Sequence, residues 1–314
     1  MSSEIQRNYI DKAMFPAEPI KVRTPQVTLL WMTPDPLGAI AAACRMYEGT
    51  PTYNLRDISD DSRRYYWEQA RSTHLKAPLE FVKFHFFIEG VDRSLTHQMV
   101  RQRTAVYAQE SMRFAVKDHL RKETSIPPSL AGTVEWDEEK TFDPDRPDKN
   151  KRQAMRDAWE QCLISIQDTY NWLIAEGMPA EDARGLLPHS TLTRLNYCTD
   201  LRALMEHAGN RLCTQAQFHW RLLFLEIMKA IKGYNDPGMA LSGRPEQYRW
   251  QYEEIASIFR PVCYQHGSCP FKADFDRGCT IRERADRGAF DEIDIREWMA
   301  DPTAAFVKDD DASK

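Results

Sequence analysis

Glycine is scarce in this chain: 13 of 314 residues, against a usual share of about 7%. Neither Gly-x-Gly-x-x-Gly nor Gly-x4-Gly-Lys occurs, which excludes the glycine-built dinucleotide and P-loop phosphate cradles. No run of about 18 apolar residues is present, and the opening Met-Ser-Ser-Glu-Ile-Gln-Arg has no apolar h-region. Neither a membrane span nor a signal peptide is therefore expected, and the expected location is the cytoplasm. Positive charge is not in excess either. Lys+Arg of 42 against Asp+Glu of 47 leaves a net charge of −5, which argues against a polyanion-wrapping surface and stable nucleic-acid binding. Any phosphate recognition has to be local. Cysteines number seven, an odd count with four scattered singly through apolar segments, which fits a reducing compartment better than a disulfide framework.

What is present is an ordinary globular composition, 42% hydrophobic and 28% charged, enough for a large core in one domain or one domain with an appendage. Gln26 to Met32 is β-rich; Thr33-Pro-Asp-Pro36 stops it, and the alanine-rich Leu37 to Tyr47 has helical spacing. Ser59 to Ser72 predicts a polar helix, and Phe81 to Glu89 a core strand that Gly90 ends. Residues 117–152 are rich in charge and proline and read as a loop excursion. Between Arg152 and Glu176, Ala158, Cys162, Ile166, Tyr170 and Leu173 recur at helical spacing, and Gly177 follows. Leu192 to Cys198 is β-prone, Thr199 or Asp200 suits an N-cap, and two further helices are expected over Leu222 to Ile231 and Tyr248 to Phe259.

One stretch, Gln98 to Phe114, concentrates three arginines, two further glutamines, a glutamate and a serine between apolar residues. Arg101 and Arg103 lie two apart, so on an extended backbone both forks would point to one face, where they suit phosphate or a carbonyl edge. A solvated charged strand would show the same spacing. Arg101-Gln102-Arg103, seven residues and then Ser111 resembles the signature of the flavin-dependent thymidylate synthases, normally Arg-His-Arg-x7-Ser, and Arg113-Phe114 resembles its closing Arg-Tyr. A second block, Arg184…Leu187-Pro188…Thr193…Asp200-Leu-Arg202…Arg211…Ala216-Gln217, is similar to the family's second region nearly position for position. His74 and Glu80 resemble its His-x4-Glu with one extra residue between them; a histidine beside Pro78 that caps a turn is the alternative.

The resemblance covers residues 26–232 and implies an α+β fold of the thymidylate synthase complementing protein type, with a central, mostly antiparallel sheet flanked by helices. The implied domain is 1–259, followed by an extension over 260–314. It also implies a homotetramer with active sites shared between subunits, FAD as cofactor, NADPH and methylenetetrahydrofolate as co-substrates, and dUMP or a related pyrimidine deoxynucleotide as substrate. Carried over by position, Arg211 polarises the pyrimidine ring and Ser111 is a positioning hydroxyl, not a covalent nucleophile. Gln98, Arg101, Gln109, Glu110, Ser111, Arg113, Arg184 and Arg211 hold the nucleotide. His74, Arg101, Gln102, Arg103, Gln109, Asp200, Leu201, Arg202 and Glu206 line the flavin. Six of these residues, Arg101, Arg103, Arg113, Arg184, Arg202 and Arg211, sit in or beside apolar segments, and burying six guanidinium groups requires anions to meet them.

Three departures keep other readings open. Gln102 cannot carry the charge of a histidine, and Asp200 and Glu206 add negative charge where neutral residues are commoner. Methylation or hydroxymethylation of dUMP or dCMP on the same scaffold, and a non-catalytic nucleotide-binding relative, are the alternatives. The tail Cys263-x2-His266-x2-Cys269-x9-Cys279 holds soft ligands without paired Cys-x2-Cys hooks, so free surface thiols are favoured and no metal is expected. The end, Lys308-Asp-Asp-Asp-Ala-Ser-Lys314, reads as a frayed tail.

Overall fold

The computed structural model describes residues 23–117, 119–127, 130, 149–213, 216–235 and 248–266. In chain order its strands are β1 (Gln26–Met32), β2 (Lys83–Asp92), β3 (Val106–Gln109) and β4 (Leu192–Asp200). Its helices are α1 (Pro36–Tyr47), α2 (Asp60–Ser72), α3 (Arg93–Met99), α4 (Leu120–Glu123), α5 (Lys149–Ala175), α6 (Ala180–Ala183), α7 (Leu201–Arg211), α8 (Phe218–Lys232), α9 (Arg249–Ser257) and α10 (Val262–His266). The strands form one sheet in the order β1-β2-β4-β3, with β1 antiparallel to β2 and β3 antiparallel to β4. This is the expected α+β architecture. Among the described residues no helix is long and apolar enough to cross a membrane.

Two compact units divide the described chain: one holds Arg23, Val91–Ser94 and Glu110–Thr193, the other Thr24–Gly90, Leu95–Gln109 and the residues from Arg194 onward. In the second unit the alternation of β2 buries Phe84, Phe86 and Ile88 on one face. Phe84 stacks on Phe86 at 5.6 Å, Phe86 on Tyr197 at 6.0 Å, and Tyr197 on Tyr107 at 5.3 Å, so one aromatic row runs from β2 through β4 to β3. Helix α8 buries Trp220, Leu223, Phe224, Ile227 and Ile231 and packs on β1. Alternation fails in β1, where a register shift between Leu29 and Trp31 leaves Leu30 and Trp31 both exposed.

Gly90 does not end β2; the strand continues to Asp92 through a φ of +72° at this residue. A Cβ there would stand 2.9 Å from the Thr24 carbonyl oxygen, so the glycine serves a close backbone approach inside the strand.

The first turn of α1 rests on a buried polar knot. Asp35, between two prolines and at φ +46°, caps the helix by accepting from Gly38 N at 3.1 Å. Its other contacts come from far along the chain: Arg63 of α2 donates at 2.6 and 2.9 Å, and Gln251 of α9 at 2.9 Å. The Gln251 carbonyl oxygen in turn accepts from Leu37 N at 2.9 Å.

In the other unit α5 is the long helix expected, and Ile166, Tyr170 and Leu173 of the predicted stripe face inward, but the first two members of that stripe do not. Trp159, Leu163, Ile166, Tyr170, Leu173 and Ile174 pack inward, while Ala158 and Cys162 are exposed. Larger side chains at neighbouring positions captured the core face. Tyr170 packs with Leu120, Ala183 and Leu187.

Removing the Asp35 carboxylate leaves the buried Arg63 guanidinium only the more exposed Asp60 at 3.2 Å, a change that costs at most about 3–5 kcal/mol. Asp35→Ala is therefore expected to lower the thermal midpoint by roughly 6–20 °C; a scanning-fluorimetry shift below about 2 °C would show that the knot is not a principal support of the fold.

Candidate functional site

Helix α3 ends at Met99, and the chain after it does not extend. Val100 N donates to Thr96 O, Arg101 N to Gln98 O and Gln102 N to Met99 O, so Arg101-Gln102-Arg103 forms a turn before β3. The shared face predicted for Arg101 and Arg103 from an extended backbone is thus absent. Arg101 borders a cleft of about 240 Å3, whereas Arg103 does not line it.

One wall of the cleft is Gln98, Arg101, Gln102 and Thr104; the other is Ala203, Glu206, His207, Asn210 and Arg211. The second wall is a stripe of α7 at spacings of three and four, which is one helix face. Asp200 starts that helix as N-cap, accepting from Ala203 N at 2.9 Å, and also meets Lys83 at 3.2 Å. Helical phase then sorts the expected flavin-facing residues. Glu206 lines the cleft; Leu201 is buried core whose N donates to Val82 O; Arg202 pairs with Glu80 at 2.7 Å and Glu206 at 3.1 Å.

Arg211 is held from two sides. Nη1 donates to Gln98 Oε1 at 2.9 Å, and the guanidinium carbon lies 4.9 Å from the Trp220 ring centre. Trp220 Nε1 donates to the same Gln98 oxygen at 3.2 Å, and the Gln98 amide nitrogen donates to Gln217 at 3.0 Å. Arg211 Nε is buried without a hydrogen-bond partner. Burial, and then the charge of Arg101, push the Arg211 pKa below its ordinary value, so two like charges share the cleft.

Gln102 is tied down at both ends of its amide. Nε2 donates to Ala203 O at 3.0 Å, and Oε1 accepts from the Tyr197 hydroxyl at 2.8 Å. The Tyr107 hydroxyl donates to Met99 O at 2.8 Å and stands 3.4 Å from the same amide oxygen. Burial pushes the pKa of both tyrosines above the ordinary value.

The remaining expected site residues lie elsewhere. Gln109 donates to Thr96 Oγ1 at 2.8 Å, and His74 is exposed after α2. In the first unit, the Ser111 hydroxyl accepts from Arg113 N at 3.3 Å within its own turn, and Arg113 is exposed against the Phe114 ring. Arg184 donates to Glu181 O at 3.0 Å. Glu110 meets the buried Lys117 at 3.4 Å, and its carbonyl oxygen accepts from Arg93 at 2.7 Å. Burial and then, among the charges, Glu110 and Arg184 act on Arg93, whose pKa is lowered overall. The expectation that six arginines are buried fails: Arg101, Arg103 and Arg113 are exposed, and Arg184, Arg202 and Arg211 only partly covered.

Sequence reasoning missed His207, Arg93 and the tyrosine pair. His207 had a signal, standing four residues before Arg211 on the same helix face. It is buried edge-on to Trp220 at 4.8 Å and Phe224 at 5.7 Å. Among the described residues no cluster of three or more His, Cys, Asp or Glu could hold a metal. Cys263 and His266 lie on α10, while Cys269, Cys279 and the acidic tail fall outside the described residues.

A family model described as thymidylate synthase complementing protein matches residues 28–234. A flavin-dependent thymidylate synthase of Geobacter sulfurreducens is 31% identical over 210 residues, covering 66% of this chain and 82% of the relative. Two solved structures share the fold at 18% identity. One is thymidylate synthase X from Helicobacter pylori, solved with FAD and dUMP, with a TM-score of 0.50, covering 74% of this chain and 99% of that one. The other is a UMP/dUMP methylase from Streptomyces cacaoi bound with 5-Br dUMP, with a TM-score of 0.53, covering 67% and 91%.

Burial first, and then Arg211, depress the His207 pKa from 6.5 to about 3. The unfolded chain binds this proton below about pH 6.5 and the folded chain does not, so stability falls as pH drops from about 6.5 towards 3. His207→Phe keeps the aromatic packing and removes the proton site. Its stability loss in that window should be shallower by up to about 1.4 kcal/mol per pH unit; parallel curves for variant and wild type in urea titrations would contradict the assignment.

Proposed function

Because the chain belongs to the thymidylate synthase complementing protein family, we propose that it is an FAD-dependent thymidylate synthase that methylates dUMP reductively to dTMP, with methylenetetrahydrofolate as carbon donor and NADPH as reductant. The observation that carries this reading is the cleft in which Arg101 and the orphaned Arg211 Nε meet without a carboxylate partner among the described residues for either guanidinium. Like charges held together in a partly enclosed cleft fit a ligand bearing phosphate or an enolate-like ring edge. FAD and a pyrimidine nucleotide together supply such groups. When bound and reduced by NADPH, FAD would supply the hydride that completes the methyl group.

The work of the chain's own residues is binding and polarisation. C5 of uracil is a weak nucleophile, and a guanidinium beside N3 and the adjacent carbonyl favours the anion-like ring that attacks the one-carbon unit. Arg211 is suited to this because the Gln98 oxygen and the Trp220 face fix its orientation before substrate arrives. Arg101 takes phosphate or ring oxygen at the opposite wall. Gln98, Gln109, Glu110, Ser111, Arg113 and Arg184 belong to the nucleotide side of the proposal. Arg101 and Gln109 also serve the flavin side, with His74, Arg103, Asp200, Leu201, Arg202 and Glu206, and Gln102 acts there through the Arg101 turn that it holds. The homotetramer with shared sites and the cytoplasmic location are parts of the same reading.

Tritium release from 5-labelled dUMP that requires both methylenetetrahydrofolate and NADPH tests the activity, and product mass separates methylation from hydroxymethylation and dUMP from dCMP as substrate. Purified protein that neither carries nor takes up FAD would sink the reading. Arg211→Ala is expected to lower turnover by about 100- to 1,000-fold with FAD still bound. Loss of FAD with nucleotide affinity intact would reverse the assignment. Arg184→Ala removes a charge-assisted contact worth about 1.5–3 kcal/mol, so isothermal titration should show dUMP binding roughly ten- to a hundred-fold weaker. Unchanged affinity would remove Arg184 from the site.

A further inference from the structure

Gln102 occupies the position where the related signature carries histidine, and its amide is committed to other protein groups. Its oxygen is the acceptor for Tyr197, a fully buried residue whose hydroxyl donates at 2.8 Å, and the Tyr107 hydroxyl stands 3.4 Å from the same atom. On the other side its nitrogen donates to Ala203 O of α7 at 3.0 Å. Its own backbone N donates to Met99 O at the end of α3, the carbonyl that also accepts from Tyr107. Through its side chain Gln102 therefore joins strands β3 and β4 to the helix that carries Arg211, and through its backbone it is tied to the end of α3. The residue preceding it is Arg101.

We propose that Gln102 is a positioning residue: a non-titrating clamp that fixes the Arg101 turn against the Tyr107–Tyr197 pair and α7, so that Arg101 and Arg211 face each other across the cleft. An amide offers acceptor and donor at once whatever the pH. A neutral imidazole can do the same, but on protonation both ring nitrogens become donors. The Tyr197 hydroxyl then faces a donor where it had an acceptor. The charged groups around position 102 do not offset this: Arg101 and Arg211 add positive charge, and Glu206 is already engaged by Arg202. His207 is held neutral, Tyr107 and Tyr197 remain protonated, and Asp200 is paired with Lys83.

Two measurements on the full-length chain test this, and only the second rests on the flavin reading. The first is a thermal cycle. Gln102→Leu strands the buried Tyr197 hydroxyl without its acceptor and should lower the midpoint by a few degrees, about 2–8 °C. Adding Tyr197→Phe removes the stranded group, so the double variant should melt above Gln102→Leu alone. Additive losses would overturn the clamp without reference to any ligand.

The second is FAD affinity against pH in Gln102→His, measured by flavin fluorescence and compared with wild type. A clamp that fails on protonation loosens Arg101, so affinity should match wild type near pH 8 and fall about five-fold or more by pH 5.5 relative to it. If the residue at 102 instead touches the cofactor directly, the new positive charge attracts the diphosphate and affinity rises with acid; that sign, or a flat ratio, overturns the proposal. Wild-type protein that binds no FAD at any pH refutes the flavin reading instead, and the thermal cycle then decides the clamp.

Discussion

Two guanidinium groups of like charge, held on opposite walls of one cleft, are the constraint that the local structure is built to meet. Repulsion between Arg101 and Arg211 would turn at least one of them out to water, where long side chains keep most of their rotamer freedom. Arg211 cannot turn, because a single amide oxygen on Gln98 accepts from it and from Trp220, and the indole face lies against the guanidinium. Gln98 therefore serves less as a donor to any ligand than as the brace of Arg211. His207 completes the arrangement: a neutral ring against Trp220 fills the helix face without adding a third positive charge.

The reliability of that brace depends on elements fixed far from it. Asp200 ends β4, caps α7 and so sets the rotation that brings Ala203, Glu206, His207, Asn210 and Arg211 into one stripe. A helix begun one residue earlier or later would rotate by about 100°, sending Arg211 away from Gln98. On the sheet side, the aromatic row from Phe84 to Tyr107 stiffens the strands between which the arginine turn hangs. The cleft's geometry is thus inherited from a cap and a packed row whose residues do not themselves line it.

Much of this was legible in the sequence, for reasons that differ by residue. Strand β1, helix α1 and the Asp200 cap carry strong local signals: β-branched runs, prolines at a helix start, a side-chain oxygen three residues before a free N–H. The two motif blocks located Arg101 and Arg211 through resemblance. Illegible were the features whose partners are remote. Asp35 meets Arg63 and Gln251, separated from it by 28 and 216 residues, and no local pattern announces such a knot. The inward face of α5 was legible at Ile166, Tyr170 and Leu173 and missed at Ala158 and Cys162, because periodicity fixes a spacing and leaves the choice between adjacent positions to tertiary volume. Gly90 read as a stop because glycine is punctuation in a sequence, whereas here it admits the Thr24 carbonyl.

The arginines teach a sharper distinction between composition and structure. Apolar neighbours in sequence suggested six buried cations, yet none of the six is fully buried, since a long aliphatic stem can lie on apolar surface while its fork stays in water. The arginines that are deeply buried lie elsewhere, Arg63 in its ion pair and Arg221 on α8, and neither stands in a motif block. What sets Arg211 apart is its place: partial exposure at a cleft, with no carboxylate partner among the described residues, marks a group kept ready for an incoming anion. By that criterion Arg202, satisfied by Glu80 and Glu206, braces the start of α7 until a ligand competes for it. Arg101 needs no such exchange, having no carboxylate partner among the described residues, and so it presents the lower desolvation barrier to a phosphate entering the cleft.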